Sequence, residues 1–242
     1  QLEQAGIHVV YGIIGFKTHT KIALIVRKEK GRLRNYFHIG TGNYNSNTSK
    51  FYTDLGLLST DPEIASDLLE LFNYLSGFSK QKSYQKLLVS PSSMRKKFIF
   101  LIKREIKNAE EGKKAEIIAK MNSLVDPEII NLLYLASDSG VKISLIVRGI
   151  CCLYPQRKNL SENIKVKSII GHFLEHSRIF WFCNNGDNEV FIGSADWMRR
   201  NLDRRIEAVT PIEDYELKSK IYSLLQTYIK DDYFSWIMKE DG

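Results

Sequence analysis

Lys17-Thr18-His19-Thr20-Lys21 has a counterpart far down the chain in His176-Ser177-Arg178, and the pairing of these two stretches decides the fold. Each opens a segment of one design: a histidine, any residue, a cation, an apolar strand-like run, then a small-residue turn ending in a polar side chain. The first copy continues through Ile22 to Val26 and later reaches Ile39-Gly40-Thr41-Gly42-Asn43. The second continues through Ile179 to Cys183 and later reaches Ile192-Gly193-Ser194-Ala195-Asp196. Two similar half-sites in one chain predict one active site at a pseudo-twofold junction.

The residue types point to phosphoryl chemistry. Neutral imidazole is a good nucleophile near its ordinary pKa of about 6.5, and an adjacent cation neutralises phosphoryl oxygens. Lys21 and Arg178 each stand two residues beyond a histidine, on the same side of an extended chain. The second histidine can serve as an acid toward a leaving oxygen if its environment sets its charge apart from the first. A single His-x-Lys is commonly incidental and a single Gly-Thr-Gly-Asn commonly a turn; their recurrence, in order, carries the reading. The sequence has no GxxxxGK[ST] loop, no GxSxG elbow and no Cys/His set at zinc spacing. Of the remaining histidines, His8 and His38 read as core or scaffold residues, and His172 as a candidate supporting residue near His176.

The bulk properties agree with a soluble, packed chain. At 242 residues, 43% hydrophobic and 26% charged, a sizeable core is expected. A net charge of +7 favours polyanionic partners such as nucleotides, nucleic acid or inorganic polymers. No apolar run approaches the ~20 residues needed to cross a bilayer, so a cytoplasmic location is expected. Cys151, Cys152 and Cys183 form neither a disulfide framework nor a metal-ligand spacing. Gln1 in place of Met, and an apolar run starting at Ile7, predict further sequence upstream.

Along the chain, Ile7 to Ile14 reads as a buried strand, followed by strands over Ile22 to Arg27 and Arg34 to Ile39. Asp61-Pro62-Glu63 is a helix start, and Gly77 a stop. The polar stretch from Ser79 to Lys86 marks the boundary between residues 1–86 and 87–242. A helix then runs from Met94 with a Lys/Arg-rich solvated face that includes Arg95 and Arg104. Ala115 to Met121, a helix opening at Asp126-Pro127, and Val141 to Val147 form a βαβ unit that delivers Arg148 at a strand's carboxyl end. Asn163 to Ile170, Arg178 to Cys183 and Glu189 to Ile192 are further strands, and a closing amphipathic helix spans Tyr215 to Ile229. The predicted class is α/β, with two halves, each a mixed sheet flanked by helices, and the site at their junction.

The paired His-x-Lys/Arg segments with Gly-rich turns resemble the phospholipase D superfamily. Longer stretches resemble one branch of it: His38-Ile39-Gly40-Thr41-Gly42-Asn43-Tyr44-Asn45, Tyr52-Thr53-Asp54-Leu55-Gly56-Leu57-Leu58, Leu145-Ile146-Val147-Arg148-Gly149-Ile150-Cys151-Cys152, Phe173-Leu174-Glu175-His176-Ser177-Arg178 and Gly193-Ser194-Ala195-Asp196-Trp197-Met198. They are similar to the C-terminal half of the bacterial polyphosphate kinase family, which reversibly moves the terminal phosphate of ATP onto inorganic polyphosphate. The resemblance implies that His19 is phosphorylated, that His176 assists and contacts nucleotide, and that Tyr52 and Arg148 contact ATP. Lys21, Asn43, Arg178, Arg199 and Arg205 are expected as phosphate ligands from charge and position. The resemblance further implies Mg2+ accompanying ATP with its ligands upstream, no metal ligand within these residues, the upstream domains of the same polypeptide as partners, and compatibility with a homo-oligomer and with peripheral membrane association. One departure bears on chemistry: no Asp follows His19-Thr20-Lys21 on its strand, and Arg27 occupies the sixth place beyond Lys21, which disfavours lipid phosphodiesterase activity. The alternatives are a phosphodiesterase or nuclease using the same histidines, and a non-catalytic polyanion-binding module.

Overall fold

A computed structural model describes residues 1–80 and 83–242. Gln81 and Lys82, inside the stretch where the boundary is expected, lie outside the described residues. The N-terminal part supplies β1 (Lys17–Thr18), β2 (Ile22–Glu29), β3 (Arg32–Gly40), β4 (Tyr52–Thr53), β5 (Gly56–Ser59) and α1 (Pro62–Leu75). The next stretch supplies β6 (Leu88–Ser90), α2 (Met94–Glu110), β7 (Glu116–Met121), α3 (Pro127–Asp138), β8 (Lys142–Val147) and β9 (Ile164–Ile169). The remainder supplies β10 (Leu174–Glu175), β11 (Ile179–Phe182), β12 (Glu189–Gly193), α4 (Arg199–Asp203), β13 (Arg205–Ile212), α5 (Tyr215–Lys230) and β14 (Ser235–Ile237).

Local chemistry starts the helices where the sequence indicates. The Asp61 carboxylate accepts from the Glu63 and Ile64 amides at 3.0 and 2.8 Å, and Asp126 accepts from Ile129 at 3.1 Å. Each satisfies amides that the first helical turn leaves without a partner. The β7–α3–β8 unit is parallel, in register from Glu116 opposite Lys142 to Met121 opposite Val147. Helices α2 and α3 cover one face of these strands and apolar residues of α5 pack on the other, which is why they read as unbroken apolar runs.

The large mixed sheet has the order β1-β13-β12-β11-β7-β8-β9-β14, with β6 also pairing β13. One core lies between this sheet and α2 and α3, where Phe98, Phe180 and the fully buried Trp197 form a three-ring cluster. Trp197 fixes the Gly193–Asp196 turn, because its carbonyl also accepts from the Val125 and Asp126 amides. A second core joins α1 and the antiparallel sheet β2-β3-β5 to Ile206 and Ala208 of β13. The N-terminal elements are thereby seated on the strand that carries Glu207.

Four sequence expectations are corrected. Ile7 to Ile14 is not a buried strand: Tyr11 and Ile14 are exposed, Gly12 and Gly15 take left-handed φ values of 86° and 85°, and no ladder partner adjoins the segment among the described residues. His8 on that segment is accordingly exposed rather than in a core. Arg95 is not solvated; it forks onto Asp126 and Asp203 at 2.7–3.0 Å and reaches Glu128 at 2.9 Å, tying α2 to α3 and α4. Arg104 likewise pairs with Glu189. β13 has no counterpart among the strands expected from the sequence, and Pro211 lies within it. The proline is tolerated because β6 pairs only Glu207 to Val209, so Pro211 has a ladder neighbour on one side alone.

Candidate active site

Two very short parallel pairings place the histidines. β1 runs beside β13 with Lys17 opposite Arg205 and Thr18 opposite Ile206, and the ladder ends with the His19 amide donating to the Ile206 carbonyl at 2.8 Å. β10 runs beside β4 with Leu174 opposite Tyr52 and Glu175 opposite Thr53, and it ends with the His176 amide donating to the Thr53 carbonyl at 3.2 Å. The next residues in register are therefore His19 with Glu207 and His176 with Asp54. His19 Nδ1 lies 2.8 Å from Glu207 Oε2; His176 Nδ1 lies 2.8 and 3.1 Å from the two Asp54 oxygens. Each histidine is braced by a carboxylate from the other part of the chain.

The repeated small-residue turns hold those carboxylates. Thr41 Oγ1 donates to Asp54 Oδ1 at 2.6 Å and accepts from the Leu55 amide at 3.0 Å. In the same relation, Ser194 Oγ donates to Glu207 and accepts from the Ala208 amide at 3.2 Å. Asn201 Nδ2 donates to the other Glu207 oxygen. Gly42 must lack a side chain, since a Cβ there would sit 2.7 Å from the Asp54 carboxyl group. Ionised carboxylates only accept, so both rings carry their proton on Nδ1; this leaves the His19 Nε2 lone pair available, while the His176 Nε2 accepts from Arg178.

The cations repeat the pattern. Lys21 Nζ turns back onto the His19 carbonyl at 2.6 Å, and Arg178 Nη1 onto the His176 carbonyl at 2.8 Å. Both are 4% exposed. Arg178 also donates to Asp196 at 3.2 Å, and its Nη1 lies 3.1 Å from His176 Nε2. Burial lowers the Lys21 pKa to about 8, with Glu207 and Asp54 pulling it up and Arg178 and Arg205 pushing it down. Lys21 thus feels both carboxylates, which joins the two half-sites into one electrostatic cluster. Burial also lowers the His176 pKa, against the Asp54 hydrogen bond and with Arg178 and Lys21 assisting, so that ring rests neutral at pH 7.

The other predicted site residues divide. The Tyr52 ring tilts against His176 with centroids 4.8 Å apart. Arg148 Nε donates to Asn122 Oδ1 at 3.0 Å, while the Asn122 amide donates to Asp196 at 2.7 Å, so both arginines of the second half reach one polar network. Arg205 opens β13 beside Lys17 and acts on Lys21. Asn43 is exposed in its turn, its carbonyl accepting from Asn45, and Arg199 is exposed at the start of α4. His172 is exposed against the Phe173 ring rather than supporting His176. His38 is half-buried, bonded through Nδ1 to the Tyr44 hydroxyl at 2.6 Å, in keeping with a scaffold role.

Asp54, Glu207, Thr41 and Ser194 were not among the sequence candidates. Thr41 and Ser194 occupy matching places in the repeated turns, a signal that could have found them. Glu207 had none, because its strand was not recognised. As to a metal, no group of three or more His, Cys, Asp or Glu side chains converges among the described residues. Asp54 and Glu207 are taken by the histidines, so these residues do not form a seat for Mg2+.

The arrangement has a known architecture. Phosphatidylserine synthase from Haemophilus influenzae superposes with a TM-score of 0.58 at 10% identity, covering 84% of this chain and 61% of that one, a likeness of fold alone. Sheet, helices and paired half-sites define a mixed α/β protein with a histidine and a bracing carboxylate in each half-site. Within that class the family is specific. The model of polyphosphate kinase C-terminal domain 1 matches residues 1–81, and that of C-terminal domain 2 matches residues 87–242, so the chain belongs to the polyphosphate kinase family. The polyphosphate kinase of Parasynechococcus marenigrum is 64% identical over 242 residues, covering 100% of this chain and 34% of that protein. The crystal structure of polyphosphate kinase from Porphyromonas gingivalis superposes with a TM-score of 0.94 at 39% identity, covering 99% of this chain and 37% of that one. The chain spans about a third of the length of the curated relatives it matches.

Proposed function

We propose that residues 1–86 and 87–242 are two halves of one catalytic centre that moves the terminal phosphate of ATP reversibly onto inorganic polyphosphate, through a phosphohistidine at His19. The crossed bracing of His19 by Glu207 carries this reading. With Nδ1–H donated to Glu207, His19 Nε2 is the free nucleophile. It attacks the terminal phosphorus; the bond to the bridging oxygen breaks and ADP departs with that electron pair. Glu207 stabilises the positive charge that the ring acquires, as an orienting carboxylate does for a catalytic imidazole. In the second step a terminal oxygen of polyphosphate attacks the same phosphorus, and His19 leaves as neutral imidazole.

Lys21 and Arg178 are suited to neutralise the transferring oxygens inside a site where water is largely excluded. His176 rests neutral, but an arriving phosphate dianion raises its pKa, so the ring gains a proton when substrate is present and can donate to the leaving oxygen. Tyr52, tilted against His176, and Arg148 form the nucleotide side of the site. Mg2+ accompanies the nucleotide with ligands from elsewhere in a longer polypeptide, and the location is cytoplasmic. No helix among the described residues is long and apolar enough to cross a membrane.

The test uses a full-length protein containing this region and ATP labelled in its terminal phosphate. Wild type should take up acid-labile, base-stable label and make polyphosphate, and His19→Ala should do neither. Diester or DNA cleavage without ATP would support the phosphodiesterase alternative. Salt-sensitive polyphosphate binding with no transfer would support the binding module.

A further inference from the structure

Lys120 is a buried cation that the mechanism above leaves unused. It sits on β7, the strand between β11 and β8, at 1% exposure, with Ile179 and Ile146 as its ladder neighbours. The surrounding layer, Ile118, Ile146, Ile179 and Trp181, is apolar, so an aliphatic side chain would satisfy packing at this position. A charge there needs another reason, because desolvation opposes it and lowers its pKa.

Its contacts supply one. Lys120 Nζ lies 3.1 Å from Glu175 Oε2, 2.8 Å from Ser177 Oγ and 3.3 Å from the Ser177 carbonyl. Glu175 and Ser177 are the two residues that flank His176. Glu175 also accepts from Thr53 Oγ1 at 2.9 Å, and the Thr53 carbonyl accepts the His176 amide. The Tyr228 ring of α5 closes the remaining side, its centroid 5.1 Å from Nζ. A single ammonium therefore ties both neighbours of His176, and through Thr53 the strand that leads to Asp54, to the central sheet.

We propose that Lys120 is a positioning residue for His176, holding its backbone on both sides so that Nδ1 meets Asp54 while Nε2 faces Arg178. Its kinetic consequence rests on the phosphotransfer reading; its geometric consequence does not. Lys120→Met removes the tie but strands Glu175, whereas Lys120→Met with Glu175→Gln removes the tie without leaving a lone charge. In the full-length protein, both variants should carbethoxylate His176 with diethyl pyrocarbonate about fivefold faster than wild type, read by mass spectrometry without substrate. Both should lose about 10- to 100-fold in kcat with the KM for ATP within about threefold, the size expected for a misplaced catalytic group. Thermal stability should recover toward wild type in the double variant while kcat should not. A double variant that regains both, or an unchanged rate of His176 modification, overturns the proposal. Should the protein prove to catalyse a different reaction, the modification rate alone still decides it.

Discussion

His19 and Glu207 come from opposite ends of the chain and meet through an Nδ1 to Oε2 contact of 2.8 Å, one residue beyond the place where β1 and β13 stop pairing. Glu207 is fully buried and also holds Ser194 and Asn201, so its second oxygen is not free to rotate toward solvent. Glu207→Gln keeps the shape but removes the charge that stabilises a phosphorylated ring. Phosphohistidine formation should slow by about 10²- to 10⁴-fold, measured by rapid quench with labelled ATP, with far-ultraviolet circular dichroism unchanged.

Lys21 sets activity against stability. Its folded pKa of about 8 lies below the unfolded value of 10.5, so the unfolded chain binds more protons between those values. The resulting cost, ~3 kcal/mol, is fully present below pH 8 and is relieved as pH rises toward 10.5. Lys21→Met should therefore leave the melting temperature at pH 7 unchanged or higher, while transfer falls by about 10²-fold or more. A clear drop in melting temperature at pH 7 would show that the charge is a net stabiliser.

His176 gives the opposite end of the pH scale. Its folded pKa is depressed below 6.5, so protons bind the unfolded state first and stability falls as pH drops through about 6.5. His176→Gln should flatten that part of a urea-denaturation series taken from pH 7.5 to 5, and an unchanged slope would assign it elsewhere.

Gly42 tests the turn. Gly42→Ala puts a methyl against the Asp54 carboxyl group, which must shift and so disturb its bond to His176. A loss of about 1–3 kcal/mol in stability is expected, with a larger fractional loss of kcat than of stability. Arg95→Met provides the contrast: it leaves the nearly buried Asp126 without its fork, for a cost of about 3–5 kcal/mol, yet kcat per folded molecule should stay at wild type.

The fold class and the two histidines were legible because each rests on local pattern: the repeated His-x-cation segments, the Asp-Pro helix starts and the unbroken apolar strands. The bracing carboxylates were less so, since contacts between residues as distant as His19 and Glu207 leave no local period. Asp54 stood in plain view after Tyr52-Thr53, but its use by the histidine of the other half depends on the β4 and β10 pairing, only two residues long on each side. Ile7 to Ile14 misled for the complementary reason: apolar character predicts burial only when something lies against it.

The most direct test is the chemical position of the phosphate. In the full-length protein phosphorylated by ATP, phosphorus is expected on Nε2 of His19, because Nδ1 is committed to Glu207. Isomer-resolved NMR of the phosphorylated protein, combined with peptide mapping, should show Nε2-phosphohistidine at His19 alone. Phosphate on Nδ1, or at His176 in place of His19, would contradict it.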